Sequence, residues 1–162
     1  MTPAAAVVVR AATKADLPAL GRLAVLLVRL HHDFDQARFM AATDQTERGY
    51  GSYLGTQLTE RGTTVLVATL EHTVVGYAWG SMDGIDYMSL RGPAGVLHDL
   101  VVDEAQRGRG IGSLLLDAVL AALEAAGARQ FVLSTAARNE SAQRLFVRHG
   151  FRPTMLEMTR DL

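Results

Sequence analysis

The chain contains no cysteine, which excludes a disulfide framework, a thiolate metal site and a cysteine nucleophile. Neither charge is in excess: 16 Lys and Arg stand against 17 Asp and Glu, a net charge of −1. So weak an overall field draws neither nucleic acid nor an anionic membrane surface, so neither partner is expected and any charge-guided recognition is local. No run reaches ~18 uninterrupted apolar residues, the length of a membrane-spanning helix. Met1–Val9 lacks the basic start and long apolar core of a signal peptide, so a cytoplasmic protein is expected. Internal repeats, low-complexity linkers and domain boundaries are missing too. The 162 residues therefore read as one domain, 1–162, with length for one substantial core but not two.

What is present is periodic. Val7 to Arg10 reads as a short strand, and Lys14 to about His31 as a helix with Leu17, Leu20, Leu23, Ala24, Leu27, Val28 and His31 on one side. Asp33 to Thr46 is irregular or weakly helical, and Glu47 to Arg61 holds a second helix despite Gly49, Gly51 and Gly55. Thr64 to Leu70 and Val74 to Met82 are strands joined across Glu71-His72-Thr73 as a hairpin. Ser81 to Gly95, with three glycines and Pro93, reads as a long loop. Val96 to Val102 is strand-like. From Ile111 a helix follows, with Leu115, Ala118, Val119, Ala122 and Leu123 at three- and four-residue spacing and Gly127 as its stop.

Between that strand and that helix lies Arg107-Gly108-Arg109-Gly110-Ile111-Gly112. Glycines let a backbone approach a ligand closely, and the first-turn N–H groups of a helix have no intrahelical acceptor, so the order describes an anion site suited to a diphosphate. Arg107 and Arg109 add positive charge at the same helix end. A P-loop needs Gly-Lys-Ser/Thr, and no lysine follows Gly110. A Rossmann fingerprint belongs in the first strand-to-helix turn with an acid about 20 residues on, and neither condition is met. A plain connecting turn is the other reading of these glycines.

Arg107-x-x-Gly110-x-Gly112 resembles the Gln/Arg-x-x-Gly-x-Gly/Ala signature of the GNAT superfamily, the GCN5-related N-acetyltransferases. Three further segments resemble that family in order. Arg10 to Asp16 is similar to its first strand entering its first helix. Phe131 to Thr135 is similar to its fifth strand, followed by Asn139, Ala142, Leu145 and Gly150-Phe151 in the family's helix and exit pattern. Met155 to Leu162 resembles its closing strand. The resemblance implies an α/β fold, a mixed, mostly antiparallel sheet flanked by helices, with strands four and five splayed around acetyl-coenzyme A. It implies transfer of an acetyl group to an amine. The backbone of Leu100, Val101 and Val102 would pair with the pantetheine arm, the segment Arg107, Gly108, Arg109, Gly110, Ile111, Gly112 and Ser113 would cradle the diphosphate, and Asn139 would contact the coenzyme. Asn139 reads equally well as a helix N-cap.

An ammonium cannot attack a thioester, and alkylamines have pKa values near 10, so a proton acceptor is required. The family places a carboxylate for this on the fourth strand, where this chain has His98 beside Asp99. Strand residues alternate in direction, so only one of the two is expected to face the amine, and both are candidates for the base. Phe146 stands where many members have a tyrosine that protonates or steadies the leaving thiolate, and it has no proton to give. The acceptor region would hold His31, His32, Asp33, Asp35, Asp44, Glu47, Asp83 and Asp86. That set suits a cationic amine or is simply solvated loop. Adjacent histidines on a helix point about 100° apart, so no metal site is expected. Tyr50, Tyr53, Tyr77, Trp79 and Tyr87 are candidates for the acceptor pocket or for the core. The leading expectation is an N-acetyltransferase for a small-molecule primary amine, with a homodimer possible. A protein amino group as acceptor, or a non-catalytic acyl-coenzyme A sensor in view of Phe146, are the alternatives.

Overall fold

Residues 8–133 of the computed structural model build one five-stranded sheet whose strands lie in chain order. The structure describes residues 6–162; the first five residues of the expected domain, and of the Met1–Val9 stretch, lie outside the described residues. Strand β1 (Val8–Ala11) pairs antiparallel with β2 (Thr63–Leu70), β2 with β3 (Thr73–Asp83), and β3 with β4 (Ala94–Val102). β5 (Phe131–Leu133) joins β4 in parallel. The β2–β3 hairpin closes at Glu71 and His72, whose φ values of 48° and 67° are those of a tight turn matching the sheet's twist.

Helices cover both faces. α1 (Leu17–Phe34) and α2 (Thr46–Gln57) lie on one, over Val65, Val67, Tyr77, Trp79 and Val101. α3 (Ile111–Ala125) and α4 (Glu140–Arg148) lie on the other, where Leu115, Leu116, Val119, Leu123 and Phe146 meet Ala68, Val75, Ala78 and Leu97. Gly51, one of the glycines that argue against α2 in the sequence, explains its packing in the structure together with Gly21 of α1. A Cβ on Gly21 of α1 would stand 2.5 Å from the Glu47 carbonyl, and one on Gly51 of α2 would stand 3.2 Å from the Leu17 carbonyl. The two helices touch backbone to backbone.

Several boundaries differ from expectation. β3 runs on to Asp83 and β4 starts at Ala94, so the long loop shrinks to the ten residues 84–93. β5 ends at Leu133 instead of Thr135, because β4 and β5 diverge there. The closing strand expected at Met155–Leu162 is not formed: the segment has no ladder partner, and a segment makes a strand only where a neighbour offers backbone hydrogen bonds. It is tied to the rest by an ion pair between Glu157 and Arg38.

Candidate active site

The parting of β4 and β5 creates the site. Their register is Gly95 with Phe131, Val96 with Val132 and Leu97 with Leu133, and then pairing stops. From His98 to Val102 the β4 backbone groups turned away from β3 have no strand beside them. Leu100, Val101 and Val102 lie in this open stretch, with Val101 anchored in the α1/α2 core and Leu100 and Val102 packed against the α3 side.

The glycine segment follows at the end of β4. Gly108 and Gly110 have φ values of 76° and 78°, in the left-handed region that favours glycine, and Gly110 is the N-cap of α3. A Cβ on either would meet nothing within 4 Å, so this turn is open on its outer side. The first-turn amides of Ile111, Gly112 and Ser113 lack intrahelical acceptors by geometry, and they stand beside that open space. Arg107 reaches back to the Val102 carbonyl at 3.3 Å and lies 3.9 Å from Glu104, which sets its guanidinium at the junction of β4 and α3. The residues present suit a diphosphate at the helix start and an amide-bearing arm along β4.

A cavity of about 260 Å³ occupies the gap. α1 contributes Leu27, Val28 and His31, the following loop Phe39 and Met40, and α2 Tyr50; Leu97 to Leu100 on β4, Leu133 to Thr135 at the end of β5, and Asn139, Ala142 and Phe146 complete it. Asn139 caps α4, its side chain accepting from the Ala142 amide at 3.2 Å, so the capping role is realised at the cavity wall. Phe146 is 8% exposed, meets Phe151 edge to face with centroids 5.9 Å apart, and still borders the cavity.

His98 and Asp99 do not point to opposite faces, which corrects the expectation from alternation. The β3–β4 register slips between Trp79 and Gly80: Trp79 pairs with Asp99 and Gly80 with Leu97, leaving His98 as the extra residue of a bulge. Both side chains therefore lie on the α1/α2 face. Asp99 is buried, its Oδ2 accepting from the Tyr50 hydroxyl at 2.8 Å and the Tyr77 hydroxyl at 2.9 Å. Burial pushes its carboxyl above the ordinary range, and the two hydroxyls pull against that. Burial beside the same carboxylate pushes both tyrosines well upward, so both remain protonated donors.

His98 has one face stacked on Trp79, centroids 4.3 Å apart, while the residue keeps an exposed edge. Loss of water against that ring lowers its pKa; Asp83 and Asp99 oppose the shift and Arg91 reinforces it. Its Nε2 lies 2.7 Å from Ser81 Oγ, and Ser81 Oγ donates to Asp83 Oδ1 at 2.5 Å.

Of the residues expected to meet the acceptor, the structure brings few together. His31 lines the cavity and bonds the Leu27 carbonyl through Nδ1. Asp35 and Asp86 are spent on capping turns, at Ala37 and Arg38 and at Met88 and Ser89. Tyr77 and Trp79 are buried in the core, whereas Tyr53 is 49% and Tyr87 81% exposed. Among the described residues no group of three metal-ligating side chains is assembled, and no helix is long and apolar enough to cross a membrane. Sequence reasoning did not link Tyr50 and Tyr77 to Asp99, nor Ser81 to His98. Tyr77 and Asp99 share a face of the regular β3–β4 ladder and Tyr50 reaches that carboxylate from α2, whereas it is the bulge that brings His98 to Ser81.

Residues 27–151 match the model of the acetyltransferase (GNAT) family. No curated protein matches the chain. Among solved structures, a tetramutant of the BH1408 protein from Bacillus halodurans superposes with a TM-score of 0.83 at 23% identity, over 96% of this chain and 99% of that one. A GCN5-related N-acetyltransferase from Ralstonia eutropha JMP134 gives 0.72 at 22% identity, over 97% and 99%. An aminoglycoside N-acetyltransferase in complex with coenzyme A gives 0.74 at 18% identity, over 100% and 98%. At these identities the likeness speaks for the fold.

Proposed function

The chain belongs to the GNAT acetyltransferase family, and on that premise we propose that it moves the acetyl group of acetyl-coenzyme A to the primary amine of a small molecule. The observation that carries this reading is the gap between β4 and β5, with His98 and Asp99 on one face of it. A cavity of about 260 Å³ walled by α1, α2, α4, the loop after α1 and the diverging strands β4 and β5 suits a small amine better than a protein chain.

The roles divide by environment. The coenzyme's diphosphate rests on the amides from Arg107 to Ser113, and its arm lies along Leu100, Val101 and Val102, beside Asn139 and Phe146. Asp99, fixed by two tyrosine hydroxyls, attracts the ammonium into the cavity. His98 takes the proton, because its depressed pKa leaves it neutral at pH 7 and its exposed edge leaves it reachable. The thioester supplies the acetyl group. The amine nitrogen bonds the acetyl carbon, and the carbon–sulfur bond breaks with its electron pair leaving on sulfur. Of the two protons the ammonium sheds, one ends on the thiol and one in solvent. No tyrosine stands at position 146, so the thiol, with a pKa near 8.5, departs without a side-chain acid there. The same reading makes residues 1–162 one cytoplasmic catalytic unit.

The experiment is a panel of small amines and lysine-bearing peptides assayed for coenzyme A release. Turnover with small amines is the expected result. Turnover confined to peptides would move the acceptor to a protein amino group. Tight coenzyme binding without turnover on any amine would favour a sensor, the reading that buried Phe146 supports.

A further inference from the structure

A single hydroxyl proton decides how His98 is arranged. Ser81 Oγ donates its proton to Asp83 Oδ1, and a hydroxyl has one to donate. The Nε2 of His98, 2.7 Å from the same oxygen, must therefore be the donor in that contact. In the neutral ring this puts the hydrogen on Nε2 and leaves Nδ1 with its lone pair. Trp79 holds the ring plane from one side, at an interplanar angle of 27°. Tautomer and orientation are thus both set by groups on β3, across the strand pair from His98.

We infer that Ser81 and Asp83 are positioning residues, a relay that keeps His98 in the tautomer whose Nδ1 accepts the proton of the amine. This rests on the reading of His98 as the base. The relay has a second consequence once the proton has arrived. With both ring nitrogens protonated, the positive charge is spread over the ring, and the Asp83 carboxylate lies one hydroxyl away to stabilise it. The charged groups around the ring are Asp83 on β3, Asp99 on β4 and Arg91 in the loop between those strands. Arg91 lies 3.5 Å from Asp83 and 3.9 Å from Asp86, so it holds the carboxylate in place while moderating its charge. Tyr53 of α2 meets the other partner of the stack, Trp79, edge to face at 5.4 Å.

The test uses the whole protein and the best amine found in the panel. Ser81→Ala should lower kcat/KM for the amine roughly tenfold, a fraction of the ~10²-fold or more expected for loss of the base itself, with KM for acetyl-coenzyme A unchanged. Ser81→Thr keeps the hydroxyl and should restore most of that loss. In Asp83→Asn the carboxylate that raises the pKa of His98 is gone, so the acid limb of the pH profile should move to lower pH. On a His98→Ala background, Ser81→Ala should cost nothing further, since the relay then has nothing to position.

A wild-type rate in Ser81→Ala together with an unmoved acid limb in Asp83→Asn would overturn the relay. It would leave His98 standing as the base if His98→Ala still loses ~10²-fold. Near-normal turnover in His98→Ala would instead remove the base, and the relay with it. An equal loss from Ser81→Ala with and without His98 would show that Ser81 merely supports the strand pair, which also overturns the inference.

Discussion

Phe146 lies where core packing and cavity meet, since it is almost fully buried and yet borders the space in which the thioester is proposed to lie. Phe146→Tyr adds one oxygen to the ring. With that edge toward the cavity, the variant should stay folded and turn over faster at saturating acetyl-coenzyme A, with ~10²-fold as the ceiling for an added acid. Release of coenzyme A measures it. A destabilised variant with no gain in rate would place the new hydroxyl against Phe151, in an apolar core where it finds no partner. The residue scale is also where the sequence was least legible. His98 and Asp99 were visible as candidates from their strand, but alternation assigned them to opposite faces. One extra residue opposite β3 reverses that assignment, and it depends on how two distant segments pair. Ser81 carried no signal of its own for the same reason.

At the scale of elements, the glycine turn before α3 was legible because strand, glycines and helix are contiguous in the chain. Gly112 gives the clean test of the turn's role, since a Cβ there meets Leu145 Cδ2 at 3.5 Å and Val102 Cγ2 at 3.9 Å, both ordinary contacts. Gly112→Asp should remain folded and lose tenfold or more in coenzyme affinity, a cost of about 1.4 kcal/mol, because a carboxylate opposes the diphosphate at the helix start. Titration calorimetry with coenzyme A would read it, and unchanged affinity would sink the assignment. The α1–α2 contact yields a second, opposed pair. Gly49 has nothing within 4 Å of a built Cβ, so Gly49→Ala should stabilise by about 0.5–1 kcal/mol through helix propensity alone. Gly21→Ala drives a methyl into the Glu47 carbonyl and should destabilise by ~1–3 kcal/mol as the helices are forced apart. Urea midpoints of the two variants should move in opposite directions. From sequence Gly49, Gly51 and Gly55 only weakened the case for α2, because helix propensity is a local quantity and close approach is not. The closing strand failed for a related reason: Met155 to Leu162 resembles the family's last strand, but pairing needs a neighbour that no pattern within the segment supplies.

Across the whole molecule, acid sensitivity has one clear contributor where β1 enters α1. Arg10 holds Asp16 by two hydrogen bonds of 2.8 and 2.9 Å, and the Thr13 amide and hydroxyl add two more. The guanidinium chiefly, with these donors, lowers the Asp16 carboxyl from 3.8 to about 2 against the cost of burial. A carboxylate whose pKa falls on folding contributes stability above its unfolded value and loses it as pH drops through the folded one. The contribution should therefore be complete above about pH 4 and vanish toward pH 2. It is on the order of 1–2 kcal/mol, since Arg10 is partly exposed and screened. Asp16→Asn should be less stable than wild type by that amount at pH 7, with the gap closing by pH 2 to 3 in urea titrations. A gap independent of pH would assign the loss to packing instead.

The divergence of β4 from β5 also sets how the protein breathes without ligand. From Gly95 to Leu97 the strand is clamped on both sides, whereas beyond Leu97 it is held by β3 alone. Amide hydrogens on the unclamped side of that outer stretch have no ladder partner and should exchange with deuterated solvent early, ahead of those one turn of chain before them. Coenzyme lying along Leu100 to Val102 would become the missing neighbour. Slowed exchange confined to that half of the strand would then record occupancy directly, in a protein that has catalysed nothing.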